Sequence, residues 1–222
     1  MKTQIPYIDI HTHQPDPLLD GSIVSIRNIA LNQHEAIPAE QRCSIGLHPW
    51  YIDGHTAASL QQLRSGLKQA AVVAVGECGL DKNIAVPFLE QQAVFEQQIQ
   101  LAAEFQKPLI IHCVRAFQEV LTTLSKSQFT LPVIFHGYRK NWILAQQLIG
   151  KGYYLSIGAH CLDGSQDDIL KNMPLEQLFL ETDTHTAIQI ERIYQYVASV
   201  KSIPLAQLMQ AVYDNYRRVF AD

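Results

Sequence analysis

The protein has 222 residues, of which 47% are hydrophobic and 17% charged, and its formal net charge is −4 at pH 7. This composition is typical of a globular chain and excludes a fibrous or disordered one. The negative charge argues against a protein that coats nucleic acid by neutralising its phosphates. It is compatible with an enzyme that holds one phosphate with a few local cations.

The first residues do not resemble a secretory signal, because residues 1–13 lack an apolar core. The longest wholly apolar run, residues 70–75, is much shorter than the ~20 residues that span a bilayer. The four cysteines are scattered, without a C-x-x-C pair. We therefore expect a cytoplasmic protein with reduced thiols, no membrane association and no obligatory protein partner.

Short apolar segments alternate with longer amphipathic ones along the chain. The predicted strands are Pro6–Ile10, Ile23–Ala30, Cys43–Leu47, Val72–Gly76, Leu109–His112, Val133–His136, Tyr153–Ile157 and Leu178–Glu181. The predicted helices are Ala58–Gln69, Val86–Phe105, Phe117–Leu124, Trp142–Lys151, Gln166–Asn172, Ala187–Val200 and Leu205–Ala221. This alternation indicates a parallel sheet with right-handed crossovers.

Eight such units favour a (β/α)8 TIM barrel of the α/β class, forming a single domain over residues 1–222, with a doubly wound open sheet as the alternative. The first unit is unusual, because only Gln14–Ser22 separates the first two strands. Parallel strands need a crossover of a dozen or more residues. We therefore expect a barrel that is trimmed in its first βα unit.

Histidines and carboxylates stand at or just after the ends of nearly all the predicted strands. They are Asp9, His11, His13, His48, Glu77, His112, His136, His160 and Asp183. In a TIM barrel these ends converge on the face that carries the active site. His11 and His13 are two residues apart, so they point to the same side of a strand and can bind one ion, with Asp9 placed to orient a ligand. The pattern predicts a metal site.

The same segments resemble the TatD family of metal-dependent hydrolases. The matching motifs, in chain order, are YIDIHTH (7–13), GLHP (46–49), GECGLD (76–81), KPLIIHCVRA (107–116), FHG (135–137), ETD (181–183) and NYRRVF (215–220). The resemblance extends over essentially the whole chain. It implies a TIM barrel and a TatD-like deoxyribonuclease that hydrolyses phosphodiester bonds, with DNA ends as a candidate substrate.

The resemblance also implies which residues hold metal. His11, His13 and Asp183 would bind the first ion, and His112 and His136 the second, with Glu77 bridging the two. Glu77 and Asp183 would be the catalytic carboxylates, since Asp183 can also accept the proton of an attacking water. Neutral imidazoles with carboxylates suit one or two ions of Zn²⁺, Mn²⁺ or a similar metal better than Mg²⁺.

Four segments depart from the family pattern. The segments after the first strand and before GLHP are short, Tyr138–Lys140 replaces a small Gly/Ser-rich turn, and Thr184–Thr186 replaces a small residue and Pro. The metal ligands match fully, whereas the walls that select a substrate do not. Metal-dependent hydrolysis is therefore the firmer expectation, and deoxyribonuclease activity the more specific one.

Other residues are candidates for substrate contact. Arg115 follows His112 by three residues, where its guanidinium can clamp a phosphate, and His48 can hydrogen-bond a substrate or leaving group. Trp50 with Tyr51, and Tyr138, would either stack on a base or form pocket walls. The thiols of Cys78 and Cys113 are expected to pack away from the site, because adjacent strand residues face opposite ways.

Two other functions remain open at this stage. One is an amidohydrolase-type enzyme that opens a cyclic amide or lactone, although such enzymes often bridge their metals with a carbamylated Lys where this chain has Glu77. The other is a metal-binding scaffold without catalysis.

Overall fold

The structure is a computed structural model, and it describes residues 5–15, 21–31 and 36–220. Its strands are β1 Tyr7–Thr12, β2 Ile23–Ala30, β3 Cys43–Gly46, β4 Val72–Asp81, β5 Leu109–Val114, β6 Val133–Phe135, β7 Tyr154–Ile157 and β8 Leu178–Leu180. Its α-helices are α1 Thr56–Gly66, α2 Phe88–Glu104, α3 Phe117–Lys126, α4 Trp142–Ile149, α5 Asp167–Asn172, α6 Ile190–Lys201 and α7 Leu205–Val219.

All the predicted strands and helices occur, most with ends shifted by one to three residues. Strand β4 differs most, because it continues five residues beyond the predicted end at Gly76. Glycines commonly mark the end of a strand, but here the backbone of residues 78–81 pairs with β5 from Ile111 to Val114. Glu77 therefore lies within β4 rather than at its end.

The strands follow one another along the sheet in the order β1 to β8, which is the order of the predicted (β/α)8 barrel. The chain divides into two compact units. We call residues 28–134 the middle unit, and residues 1–27 with 135–222 the terminal unit. No helix in the described part of the chain is long and apolar enough to cross a membrane.

The middle unit contains β3, β4 and β5 as parallel neighbours, with α1, α2 and α3 in the connections. Its strands carry short runs of buried apolar residues, such as Leu109–Ile111, as expected of parallel strands covered on both faces. The amide side chain of Gln98 in α2 donates to Leu47 O and accepts from Leu47 N. This pair of hydrogen bonds holds the chain just after β3, where the site begins.

In the terminal unit, β1 pairs in parallel with the first residues of β2, and β7 pairs in parallel with β8. A single bridge joins Thr12, at the end of β1, to Asp183 beyond β8. Residues 16–20 of the connection between β1 and β2 lie outside the described residues. The trimming of the first βα unit therefore stays a prediction.

A tyrosine side chain supplies two hydrogen bonds to the backbone of β1. The hydroxyl of Tyr194 in α6 accepts from Ile8 N at 3.1 Å and donates to Ile8 O at 3.0 Å. Both residues are fully buried, so water cannot replace the Tyr194 hydroxyl as the hydrogen-bond partner of Ile8 N and O. Burial raises the pKa of Tyr194, which keeps the phenol able to donate.

We predict that Tyr194→Phe lowers the free energy of unfolding by about 1–3 kcal/mol, because it leaves two buried backbone groups without their partner. Urea denaturation followed by circular dichroism measures this change. Tyr213→Phe is the control, since that ring is half-buried and stacks on Tyr216. Equal stability of the two variants would contradict the role given to the Tyr194 hydroxyl.

Candidate metal centre

In the terminal unit, three predicted ligands come together around one carboxylate oxygen. Asp183 Oδ1 lies 3.7 Å from His11 Nε2 and 3.5 Å from His13 Nε2. The backbone fixes this grouping, because Asp183 N donates to His11 O at 2.9 Å and His13 N donates to Asp183 O at 3.1 Å. Donors at ~2.0–2.2 Å from a tetrahedral ion stand ~3.4 Å apart. The spacing is therefore that of ligands around a single ion.

A second carboxylate in this unit, Glu181, lies beside His136. Glu181 is fully buried, its Oε1 accepts from Gly137 N at 2.7 Å, and the same oxygen lies 3.5 Å from His136 Nδ1. Burial alone would raise the pKa of Glu181, but the hydrogen bond and charge of His136, with smaller effects of His11 and Ser156, hold that pKa below its ordinary value. An ionised Glu181 therefore attracts the imidazole of His136 electrostatically.

Asp9 ties β1 to the segment after β8. Its two oxygens accept from Thr182 N at 3.0 Å and from the Thr182 hydroxyl at 2.6 Å. Burial raises the pKa of Asp9 to about 7 despite these hydrogen bonds. A cavity of about 600 Å³ in the terminal unit adjoins Asp9 and Thr182. The predicted role of Asp9 in orienting a ligand stays a prediction, and its visible contacts are to Thr182.

In the middle unit, a register shift in β4 sets the direction of the Glu77 side chain. The register between β4 and β5 shifts between Val75 and Cys78, and such shifts re-aim a side chain. Glu77 N donates to Asn28 Oδ1 at 2.7 Å. A Cβ on Gly76 would stand 2.6 Å from Ile110 O, so only glycine permits this approach of β4 to β5.

His112 in β5 stands between two carboxylates. Its Nδ1 lies 2.9 Å from Glu77 Oε1 and its Nε2 lies 3.1 Å from Asp81 Oδ2. A neutral imidazole can donate to only one of them. With the proton on Nε2, towards Asp81, the lone pair of Nδ1 points beside Glu77, as in carboxylate–histidine–metal arrangements. The donors therefore fit a metal ion shared by Glu77 and His112.

Asp81 is held by partners on three segments. Its Oδ1 accepts from Asn83 N at 2.8 Å, and its Oδ2 accepts from Trp50 Nε1 at 2.8 Å as well as from His112. Burial raises the pKa of Asp81, but the hydrogen bonds from Trp50, Asn83 and His112 together keep that pKa below its ordinary value. Asp81 therefore holds both the loop after β4 and His112.

The predicted substrate residue His48 lies two residues after β3 and contacts Glu77. His48 Nδ1 accepts from Trp50 N at 3.1 Å, so a neutral ring carries its proton on Nε2. That nitrogen lies 3.2 Å from Glu77 Oε1. His48, Glu77 and His112 form one of the groups whose ligand atoms lie within 4.8 Å of one another. A direct contact of His48 with substrate stays a prediction.

Arg115 is exposed and lies in the loop before α3, rather than at the start of that helix. Its Nη1 donates to Asn83 Oδ1 at 3.4 Å. Of the two alternatives left open for Tyr138, the base platform does not fit, because the residue is only 2% exposed and its hydroxyl donates to Asn141 O. Packing against the terminal-unit core therefore removes Tyr138 from the stacking candidates.

Two further histidines from the sequence pattern face each other in the terminal unit. The rings of His160 and His185 meet edge to face with centroids 4.9 Å apart, beside an open cavity of about 360 Å³ that Arg192 also lines. Burial and the charges of Arg139 and His185 lower the pKa of His160. His185 lies in the Thr184–Thr186 segment that departs from the family pattern.

The thiol of Cys78 packs as predicted. The residue is fully buried, its Sγ lies 3.8 Å from Ile110 O, and burial with the neighbouring charge of Glu77 raises its pKa.

Sequence reasoning missed Glu181 and Asn28 as residues that position the candidate ligands. A carboxylate at the end of the fully apolar segment Leu178–Leu180 was the available signal for Glu181. Asn28 lies inside β2, and nothing in its sequence context points to Glu77. Its contact depends on a pairing between distant segments.

The fold and these donor groups define a metal-dependent hydrolase of the TIM-barrel class. The TatD related DNase family model matches residues 21–221, and the chain belongs to this family. The predicted resemblance is therefore confirmed, together with the TatD-like hydrolase function that it implies.

Several relatives carry informative names. The uncharacterized metal-dependent hydrolase YjjV of Escherichia coli K12 is 27% identical over 195 residues, which cover 80% of this chain and 75% of YjjV. The 3′-5′ ssDNA/RNA exonuclease TatD of Edwardsiella piscicida is 33% identical over 177 residues, covering 74% of this chain and 68% of the relative.

Solved structures confirm the predicted barrel fold. The crystal structure of Escherichia coli YjjV superposes with a TM-score of 0.81 at 24% identity, covering 97% of this chain and 98% of that one. A phosphotriesterase homology protein from Escherichia coli, complexed with phosphate in its active site, gives a TM-score of 0.73 at 13% identity, with coverage of 97% and 99%.

We predict that Gly79→Ala lowers the free energy of unfolding by more than about 3 kcal/mol and displaces the Glu77–Asp81 segment. Gly79 has φ +144°, and a Cβ there would stand 2.0 Å from His112 O, so backbone strain and a clash add together. Chemical denaturation measures the loss. Gly54→Ala is the matched control, because a Cβ at Gly54 meets nothing within 4 Å. Similar stability in both variants would show that β4 and β5 separate easily.

Proposed function

We propose that the protein is a metal-dependent hydrolase that cleaves phosphodiester bonds at the ends of single-stranded nucleic acid. The observation that carries the proposal is the set of histidine and carboxylate atoms at ligand spacing in a member of the TatD family. The name of the Edwardsiella relative, an ssDNA/RNA exonuclease, supports the substrate class. A cytoplasmic location is part of the proposal, supported by the four cysteines, which form no disulfide in the described part of the chain.

In this proposal the terminal unit binds one divalent ion through His11, His13 and Asp183. The middle unit contributes Glu77 and His112 to a second ion. The assignment of His136 to the second ion and the bridging role of Glu77 are proposals that rest on the family resemblance. Imidazole nitrogens mixed with carboxylates favour Zn²⁺ or Mn²⁺ over Mg²⁺.

Bound divalent ions supply Lewis-acid activation of a phosphoryl group and of water. The protein's own groups supply orientation and proton transfer. Asp183, whose side chain is 30% exposed, accepts the proton of the attacking water. Arg115 offers an exposed guanidinium for a phosphate oxygen. His48, which keeps its proton towards Glu77, steadies that carboxylate.

One screen separates this function from the alternatives. Protein reconstituted with Zn²⁺ or Mn²⁺ is assayed against single-stranded DNA, bis-nitrophenyl phosphate and a panel of lactones and cyclic amides. We expect turnover of the phosphodiesters alone. Turnover confined to lactones or cyclic amides would favour the amidohydrolase-type function, and metal binding without any turnover would favour a non-catalytic scaffold.

We predict that Glu77→Gln loses one metal equivalent and at least ~100-fold in hydrolysis, the scale of removing a key electrostatic element. The amide keeps the size of the side chain but removes the charge that screens metal repulsion. Elemental analysis, phosphodiesterase assays and thermal unfolding of one preparation measure the effect, with the exposed Glu96→Gln as control. Wild-type protein should carry one to two equivalents. Retention of full metal content and turnover by Glu77→Gln would contradict the proposal.

We predict that Arg115→Ala lowers kcat/KM for a phosphodiester by roughly 10- to 100-fold, as expected for a lost hydrogen bond to a charged group, without changing metal content. Arg115→Lys should recover only part of the loss, because it cannot donate two parallel hydrogen bonds. Lys126→Ala, at the exposed end of α3, controls for the removal of a positive charge. An unchanged kcat/KM in Arg115→Ala would show that Arg115 is a solvated surface residue that does not contact the substrate.

A further inference from the structure

An indole ring in the middle unit is both exposed and fixed. Trp50 is 56% exposed, yet its Nε1 donates to Asp81 Oδ2 at 2.8 Å and its backbone N donates to His48 Nδ1 at 3.1 Å. Leu89 and Ile143 are also exposed, but they lie on helices and their aliphatic side chains have no polar group that could form a hydrogen bond. Trp50 therefore presents apolar surface to solvent in one defined orientation.

The surroundings of Trp50 leave room for stacking beside the candidate ligands. The indole centroid lies 5.1 Å from that of His48 and 6.2 Å from that of His112, with interplanar angles of 87° and 75°. Both imidazoles stand nearly perpendicular to the indole, so neither stacks on it in parallel. A planar ligand that stacked on Trp50 would lie next to the Glu77–His112 donors.

The segment that anchors Trp50 also anchors a cation. Asp81 accepts from the indole, and Asn83, two residues further on, accepts from the guanidinium of Arg115 at 3.4 Å. Lys82, between them, is engaged elsewhere, since it forms an ion pair with Glu119 and lies over the ring of Phe88. One three-residue segment thus positions an aromatic plane and a phosphate-binding group together.

From this arrangement we propose that Trp50 is the platform on which an unpaired nucleobase stacks while Arg115 contacts a phosphate of the same strand. The proposal rests on the proposed nuclease function and extends it to a specificity determinant. Every base has a stackable face once it leaves the duplex, so the platform accepts any sequence but requires an unpaired end. Trp50 is then a substrate-binding residue, and its indole N–H is a positioning group for Asp81.

Fluorescence tests the platform without relying on turnover. The chain has two tryptophans, so Trp142→Phe leaves Trp50 as the sole indole. This variant is titrated in EDTA with single-stranded tetrathymidylate and, separately, with an abasic tetranucleotide of equal charge. We expect saturable quenching by tetrathymidylate and none by the abasic strand. Equal responses to both strands would mean that the phosphates alone are recognised, which overturns the platform.

Kinetics separates stacking from positioning. Trp50→Ala should raise KM for the oligonucleotide about tenfold, the effect of losing one stacked base, and leave KM for the abasic strand unchanged. Trp50→Phe keeps an aromatic ring but loses the hydrogen bond to Asp81. Its KM for the oligonucleotide should therefore be much closer to that of the wild type than the KM of Trp50→Ala. Leu89→Ala, an exposed apolar residue of the same unit, is the matched control and should behave as wild type.

The outcomes distinguish the two proposals. Wild-type protein that hydrolyses no phosphodiester overturns the nuclease function, whereas quenching by tetrathymidylate in EDTA would still support the platform. Hydrolysis of oligonucleotides with neither selective quenching nor a KM change in Trp50→Ala overturns the platform alone. If Trp50→Phe shows the full defect of Trp50→Ala, the indole acts only by positioning Asp81, and stacking is refuted.

Discussion

Buried carboxylates stand beside two of the candidate ligand imidazoles, His112 and His136. Asp81 accepts from Trp50, Asn83 and His112, while Glu181 accepts from the backbone of residue 137 beside His136. An ionised carboxylate in an apolar barrel would be very costly without such donors. Asp81 also contacts the His112 imidazole and Glu181 stands beside that of His136, so part of the ligand geometry depends on contacts made outside the ligand set itself.

The order of elements was predictable because each one carries its own local signal. Apolar runs, proline at helix starts and loop residues between them identify the strands and helices one at a time. The ligands were predictable for the same reason, since His11, His13 and Asp183 stand beside apolar strands in the sequence. Strand β4 was predicted too short because its last residues depend on pairing with β5, which no local pattern records.

The residues that position the candidate ligands were harder to predict from the sequence than the ligands themselves. Asn28 Oδ1 accepts a hydrogen bond from Glu77 N. The side chain of Gln91 forms two hydrogen bonds with the backbone of Asp81, one to its N and one to its O. Amide side chains of this kind look like ordinary polar residues until the fold brings their partners near. For Tyr138 the sequence left a base contact and a pocket wall both open, and the residue is buried. Exposure, which separates Tyr138 from Trp50, is a property of the folded chain alone.

The buried thiol next to Glu77 bears on how the protein withstands oxidants. The thiolate is the form of cysteine that attacks peroxides and disulfides, and a thiol whose pKa is raised by burial holds almost none of it at neutral pH. Cys78 is also closed to solvent. The candidate ligands are imidazoles and carboxylates, which do not enter the thiol oxidation series. Metal retention around Glu77 should therefore need no added reductant, unlike that of centres built on cysteine.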